Sequence, residues 1–388
     1  MAWLAVLRVL AAAVPDRPCV IVLDEVPWLA DRDDTFYGAL QTAWDRLLSP
    51  RPVLLLLLGS DVHMMERMSA YDQPFYGRAD TMVLGPLTPP QVGTALELGP
   101  AEAIDAYLIT GGLPGIVRSW RPGDQPEAFL REVCDDPASP VFSVPESALQ
   151  AEFPSPDVTS QVLLAVGAGE RTQARIAEAA GSRAGAVPSG TLSPILRRLV
   201  EEKRVLALEP PLSTKPGRPA MYRVADPNLR LYLAIRQAHE LSRRGRPDAA
   251  YALVERRWSS WRGRAVEPVV RTALEEAWLS GALPVAAGAE PGFVGGWWNR
   301  TFSTEVDLVG ADRGPVAERI VFAGSVKWHD SPVDTHDVTA LRRAAGAVPG
   351  APPDVPTLMV SLSGRTRDVD PASVTAWWGP ADVIGAWQ

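Results

Sequence analysis

The run Cys19-Val-Ile-Val-Leu-Asp24-Glu25 constrains the fold more than any other stretch of the chain. A continuous apolar run of this length predicts a strand buried on both faces, as in parallel sheets flanked by helices. Two adjacent carboxylates at its C-terminal end lie where an open α/β sheet places its ligands. Pro52-Val-Leu-Leu-Leu-Leu-Leu-Gly59-Ser60 predicts a second buried strand, and it is far too short to span a bilayer. Thr81-Met-Val-Leu84 predicts a third. The apolar segment Met1–Val14 lacks a basic leading region, and Arg8 interrupts it. Trp3, Leu4, Leu7 and Leu10 recur at helical spacing, so a packing helix is expected rather than a signal peptide.

A strand that ends in two acids suits magnesium and triphosphate chemistry. In P-loop nucleotidases the first acid holds Mg²⁺ and the next polarises the attacking water. The bland alternative is a strand running into a solvated loop. No GxxxxGK[ST] occurs in the chain, so the phosphate-cradling half of such a site is absent from the sequence.

Four segments in order, VIVLDEVPWL, LLLLLGSDVHMME, FYGRADTMVLGPLT and ITGGLPGIV, carry a family resemblance. The chain resembles the archaeal-type AAA-like ATPases, whose C-terminal domain of unknown function is related to restriction endonucleases. The resemblance implies ATP and Mg²⁺ as cofactors. It implies that Asp24 binds the metal, Glu25 is the catalytic acid, Ser60 is a γ-phosphate sensor and Arg78 faces phosphate. Arg78 alternatively pairs with Asp80 or lies on the surface. The resemblance also implies a strand and glycine loop ahead of Met1, or a truncated chain with impaired nucleotide binding. AAA proteins often assemble sites between subunits, so a homo-oligomer is a further expectation.

At 388 residues the chain is too long for one core. The expected class is a multi-domain α/β protein. Residues 1–88 form a truncated P-loop AAA-like parallel sheet and 89–154 a helical lid and linker, with a boundary near Pro154-Ser-Pro156. Residues 155–250 form a winged helix-turn-helix with a trailing helix, and 251–388 a restriction-endonuclease-like α/β domain. The formal net charge of −8 argues against wholesale coating of nucleic acid. Yet residues 155–250 hold 15 Lys and Arg against 9 Asp and Glu, which marks a candidate polyanion-binding face.

Within that segment Val158–Val166 and Arg171–Ala180 predict two helices, and Leu192, Ile195, Leu196, Leu199 and Val200 the stripe of a third. Val205–Leu208 and Ala220–Val224 then predict a hairpin. Three helices and a hairpin are the order of a winged helix. Arg197 and Arg198 on helix three, with Lys215 and Arg218 at the wing, are the candidate DNA contacts. Winged helices also serve as protein-docking modules. Asn228–Tyr251 reads as helical.

The C-terminal third adds a second constellation. Trp258–Trp278 predicts one helix bearing Glu267. Thr304–Val309 alternates as a strand that puts Glu305 and Asp307 on one face. The next strand ends Ser325-Val-Lys327-Trp328. This resembles the PD-(D/E)xK nuclease core, which implies carboxylates such as Asp307 collecting Mg²⁺ and Lys327 orienting water. The acid expected two residues before the lysine is Ser325, so a ligand charge is lost. The competing reading pairs Asp307 with Lys327 in an inactive domain. His329 and His336 match no zinc spacing, and Trp297-Trp298 reads as core.

The expected function is an ATP-binding AAA-like regulator with a DNA-binding winged helix. The alternatives are a Mg²⁺-dependent PD-(D/E)xK nuclease and a non-catalytic DNA-binding remnant. ATPase activity stays open, and nuclease activity is disfavoured by Ser325. Two distant cysteines and no spanning segment predict a cytoplasmic protein with DNA as partner and no membrane.

Overall fold

Strands β1 (Cys19–Leu23) and β2 (Val53–Leu57) pair in parallel, in register from Cys19 opposite Val53 to Leu23 opposite Leu57. The crossover between them holds helices Val26–Arg32 and Phe36–Ala43 and a π-turn over Trp44–Leu48. The N-terminal helix Ala2–Ala13 forms as its periodicity predicts, burying Leu7 and Ala11 and setting Trp3 edge-on to Phe36 at 5.0 Å. Arg51 Nη1 donates to the carbonyls of Ala11 and Val14 at 2.7 and 3.0 Å, satisfying orphan acceptors at that helix's end. This computed structural model describes residues 2–59, 62–71, 73–153, 157–183, 185–217 and 219–387. Ser60, Arg218 and the boundary at Pro154–Pro156 lie outside them.

The two strands are not buried on both faces. Ile21, Leu23, Leu55 and Leu57 meet the helices, while Val20 and Val22 are 59% and 51% exposed. The helices of this segment pack on one face only, so every second apolar side chain is left in solvent. Thr81–Leu84 does not form a strand; Leu84 is 87% exposed and the segment pairs with no strand among the described residues.

The chain divides into two compact units, Met1–Gly85 and Pro86–Gln388. In the second, helices Pro89–Leu96, Pro100–Thr110 and Pro114–Val117 open with proline, whose missing N–H costs nothing in a first turn. Helices Val158–Gly167, Gln173–Ala179 and Ser189–Arg197 precede antiparallel β3 (Leu206–Glu209) and β4 (Met221–Val224). One core joins these three helices to the preceding helices, with Val92, Ile109, Leu163, Leu196 and Val224 all buried in it.

Two expected helices have other boundaries. Pro227–Arg243 and Pro247–Ala265 are separate, because Gly245 takes φ 67° and Pro247 starts a new first turn. Glu267–Leu279 is a helix of its own, opened by Pro268, so Glu267 sits at a helix start rather than mid-helix.

The C-terminal sheet has the order β5 (Phe293–Trp298), β6 (Glu305–Ala311), β7 (Ile320–Lys327), β8 (Thr357–Ser361), β9 (Ala376–Trp378). The first three strands are antiparallel and the last three parallel. Helix Thr335–Ala345 lies between β7 and β8 in the chain. Trp297 and Trp298 are buried, as expected of core residues. No helix among the described residues is long and apolar enough to cross a membrane.

Candidate functional sites

Asp24 and Glu25 follow β1 directly, at the C-terminal rim of the parallel pair. Both are exposed. Asp24 Oδ1 accepts from Glu25 N at 2.9 Å, and Glu25 takes φ 52°, ψ 41° as it caps helix Val26–Arg32. A left-handed conformation costs a residue with a Cβ roughly 1 kcal/mol or more, and such strain concentrates at functional positions. Arg78 is not beside these acids. Its Nε donates to Asp45 Oδ1 at 3.0 Å rather than to Asp80, the alternative partner, and that carboxylate pulls the guanidinium pKa upward.

The hairpin differs from an open wing. Leu212 N donates to Gly296 O, Thr214 N to Pro349 O, and Trp298 Nε1 to Pro219 O at 2.7 Å. The loop between β3 and β4 is thus fastened to the C-terminal sheet, with Lys215 exposed upon it. Arg197 and Arg198 are exposed, and Arg198 lies 3.9 Å from Glu202 one turn on.

The second constellation assembles, but with different pairings. Asp307 Oδ2 accepts from Ser325 Oγ and from Val326 N, each at 2.8 Å. Lys327 Nζ lies 2.8 Å from Asp337 Oδ1 on helix Thr335–Ala345. Burial opposes the charge on Asp337, but the bond and charge of Lys327 together with the bond from Asp334 N outweigh it and hold the carboxyl below its usual range. The expected Asp307–Lys327 pair is therefore replaced by Asp337–Lys327. Glu305 pairs with Arg171 at 3.2 Å.

Glu267 lies within electrostatic reach of Asp307. Burial, then the charge of Asp307, pushes its carboxyl up to about 7. Arg271, one turn along the same helix, contacts both residues. Its Nη2 reaches Glu267 Oε2 at 3.3 Å, its Nε reaches Asp307 O at 3.1 Å, and its Nη1 reaches Glu209 Oε2 at 3.2 Å. Burial works against Glu209's charge, yet Arg271 and Arg223 together keep its carboxyl below the usual range. Sequence reasoning missed Arg271 and Glu209. The four-residue spacing from Glu267 to Arg271 is the one signal that could have found the first. No group of three His, Cys, Asp or Glu among the described residues is arranged to hold a metal ion, and His329 and His336 join none. For Mg²⁺ the donor set around Asp307 is a poor fit, since a serine and a guanidinium stand where further carboxylates would be needed.

No family model matches the sequence, and no curated protein matches it. Among solved structures, the chain is similar to the Walker-type ATPase PABY2304 of Pyrococcus abyssi. The match has 17% identity and a TM-score of 0.38, and covers 60% of this chain and 65% of that one. At that TM-score the likeness is a distant one. The chain spans less than two thirds of that neighbour's length.

Proposed function

We propose that the chain is a nucleotide-responsive regulator of the AAA-like ATPase kind that contacts DNA without cutting it. The observation that carries the nucleotide half is the exposed Asp24–Glu25 pair at the C-terminal rim of two parallel strands, with Glu25 in a left-handed conformation. That rim is where open α/β sheets bind ligands. In this reading Asp24 holds Mg²⁺ and Glu25 orients water. Exposed Arg197, Arg198 and Lys215 are the DNA contacts, in keeping with three helices followed by a two-stranded ribbon.

The nuclease alternative is disfavoured by a specific arrangement. Asp307 is hydrogen-bonded to Ser325 and Val326, Lys327 is paired with Asp337, and Arg271 bridges Glu267 to the Asp307 backbone. Asp307 Oδ2, Glu267 Oε2 and Lys327 Nζ are all engaged in bonds of the fold itself.

Titration of Mg²⁺·ATP into the full chain tests the nucleotide half. A magnesium-dependent component of binding lost in Asp24→Asn supports it. Identical binding in Asp24→Asn, or no magnesium-dependent component at all, contradicts it.

A further inference from the structure

Two helices present matching faces to one cavity. On Pro227–Arg243, the residues Arg230, Leu233, Ala234 and Gln237 share the spacing i, i+3, i+4, i+7. On Pro247–Ala265, Arg257, Ser260, Trp261 and Arg264 repeat it. The end of helix Val158–Gly167 and the strand β4 close the remaining walls, and the cavity measures about 690 Å³.

Its wall is strongly cationic. Arg171, Arg223, Arg230, Arg236, Arg257 and Arg264 line it, against Glu240 as the single acid. Arg171 is neutralised by Glu305 and Arg223 by Glu209. The other four have no ion-pair partner among the described residues. Arg230 gives one bond to the Arg264 carbonyl at 3.2 Å, and Arg257 bonds Ala234 O and Gln237 Oε1. Burial, then repulsion from Arg223, pulls the Arg230 guanidinium down to about 10. Arg230 is half-buried, and Arg236, Arg257 and Arg264 stand exposed around it, so an anion seated among them would offset their mutual repulsion.

The Trp261 ring lines the cavity, while its Nε1 is buried and turned away from the opening. A smaller adjoining cavity of about 180 Å³ shares Arg223 and Arg230.

We infer that this cavity binds a small phosphorylated anion the size of a nucleoside polyphosphate. Guanidinium forks match phosphate oxygens two at a time. Tyr222 and Trp261 supply flat walls for a base, and the volume falls in the usual range for small-ligand sites. A DNA duplex is the poorer fit, because it spreads its charge along a convex rod that a concave pocket cannot follow. The inference stands apart from the Asp24 reading and needs no metal.

The test is calorimetric titration of the full chain with ATP and with inorganic tripolyphosphate, both in EDTA. Binding of ATP is expected, weakened about tenfold or more by Arg230→Met and by Arg264→Met. Arg264 is exposed, so its variant keeps the test open should Arg230→Met fail to fold. Binding of tripolyphosphate as well supports the phosphate half of the site, and binding of ATP alone supports recognition of the base too. Absence of ATP binding in EDTA overturns the inference. So does ATP binding equal in both arginine variants, or Arg230-dependent binding of a short DNA duplex without binding of ATP. Failure of the Asp24 reading would show instead in the magnesium-dependent component, which EDTA removes.

Discussion

Lys327 Nζ lies 2.8 Å from Asp337 Oδ1, on the helix that follows β7. A lysine in that bond is not free to steady an attacking water, and the acid two residues before it is replaced by Ser325. The protein is therefore expected to leave supercoiled DNA intact in Mg²⁺ or Mn²⁺. Asp307→Ala is expected to act on stability instead. It strips the acceptor from Ser325 Oγ and Val326 N and should cost about 1–3 kcal/mol in urea unfolding. Nicking by the parent that Asp307→Ala abolishes would contradict this.

Glu267 gives the fold a predictable pH dependence. Its folded carboxyl is pushed from the usual 4.5 up to about 7, so the folded state holds the proton more tightly. Its contribution is complete below about pH 4.5 and is lost as pH rises through about 7. Glu267→Gln keeps the shape and removes the titration. Chemical unfolding from pH 4.5 to 7.5 should show a flatter slope in the variant. Equal slopes would show that Glu267 is ordinary in the folded state.

Arg262 and Asp105 form a buried pair at 3.0 Å, joining helix Pro247–Ala265 to helix Pro100–Thr110. Burial, with a smaller push from Glu127, holds Asp105 up at about 6 despite the pull of Arg262. Arg262→Met leaves that acid uncompensated and should destabilise by roughly 3–5 kcal/mol. Adding Asp105→Leu should restore most of the loss, as a double-mutant cycle in urea would read.

The half-covered sheet predicts a contrast. Val20→Thr and Val22→Thr on the exposed face should each change stability by less than about 0.5 kcal/mol. Leu40→Ala, in the buried core beneath the other face, should cost about 2–5 kcal/mol. Equal costs would mean the exposed face is covered in solution.

Strand β1 and its two acids were legible from Cys19–Glu25 because apolar runs and their charged ends are local signals. The three helices and ribbon of Val158–Val224 were legible for the same reason. Burial was not, since periodicity says what a strand could hide, not how many helices arrive to hide it. Thr81–Leu84 has strand composition, but no described strand pairs with it. The Arg271–Glu209 bond joins residues far apart in sequence, and the arginine cavity exists only once two helices meet. Both come from packing, which no local pattern encodes.

DNA affinity with and without nucleotide tests the central claim most directly. Fluorescence anisotropy of a labelled duplex with the full chain should show salt-sensitive binding, weakened by Arg197→Ala with Arg198→Ala. Mg²⁺·ATP should change that affinity, and Asp24→Asn should abolish the change. No DNA binding, or an affinity that Mg²⁺·ATP leaves unaltered, would contradict the account.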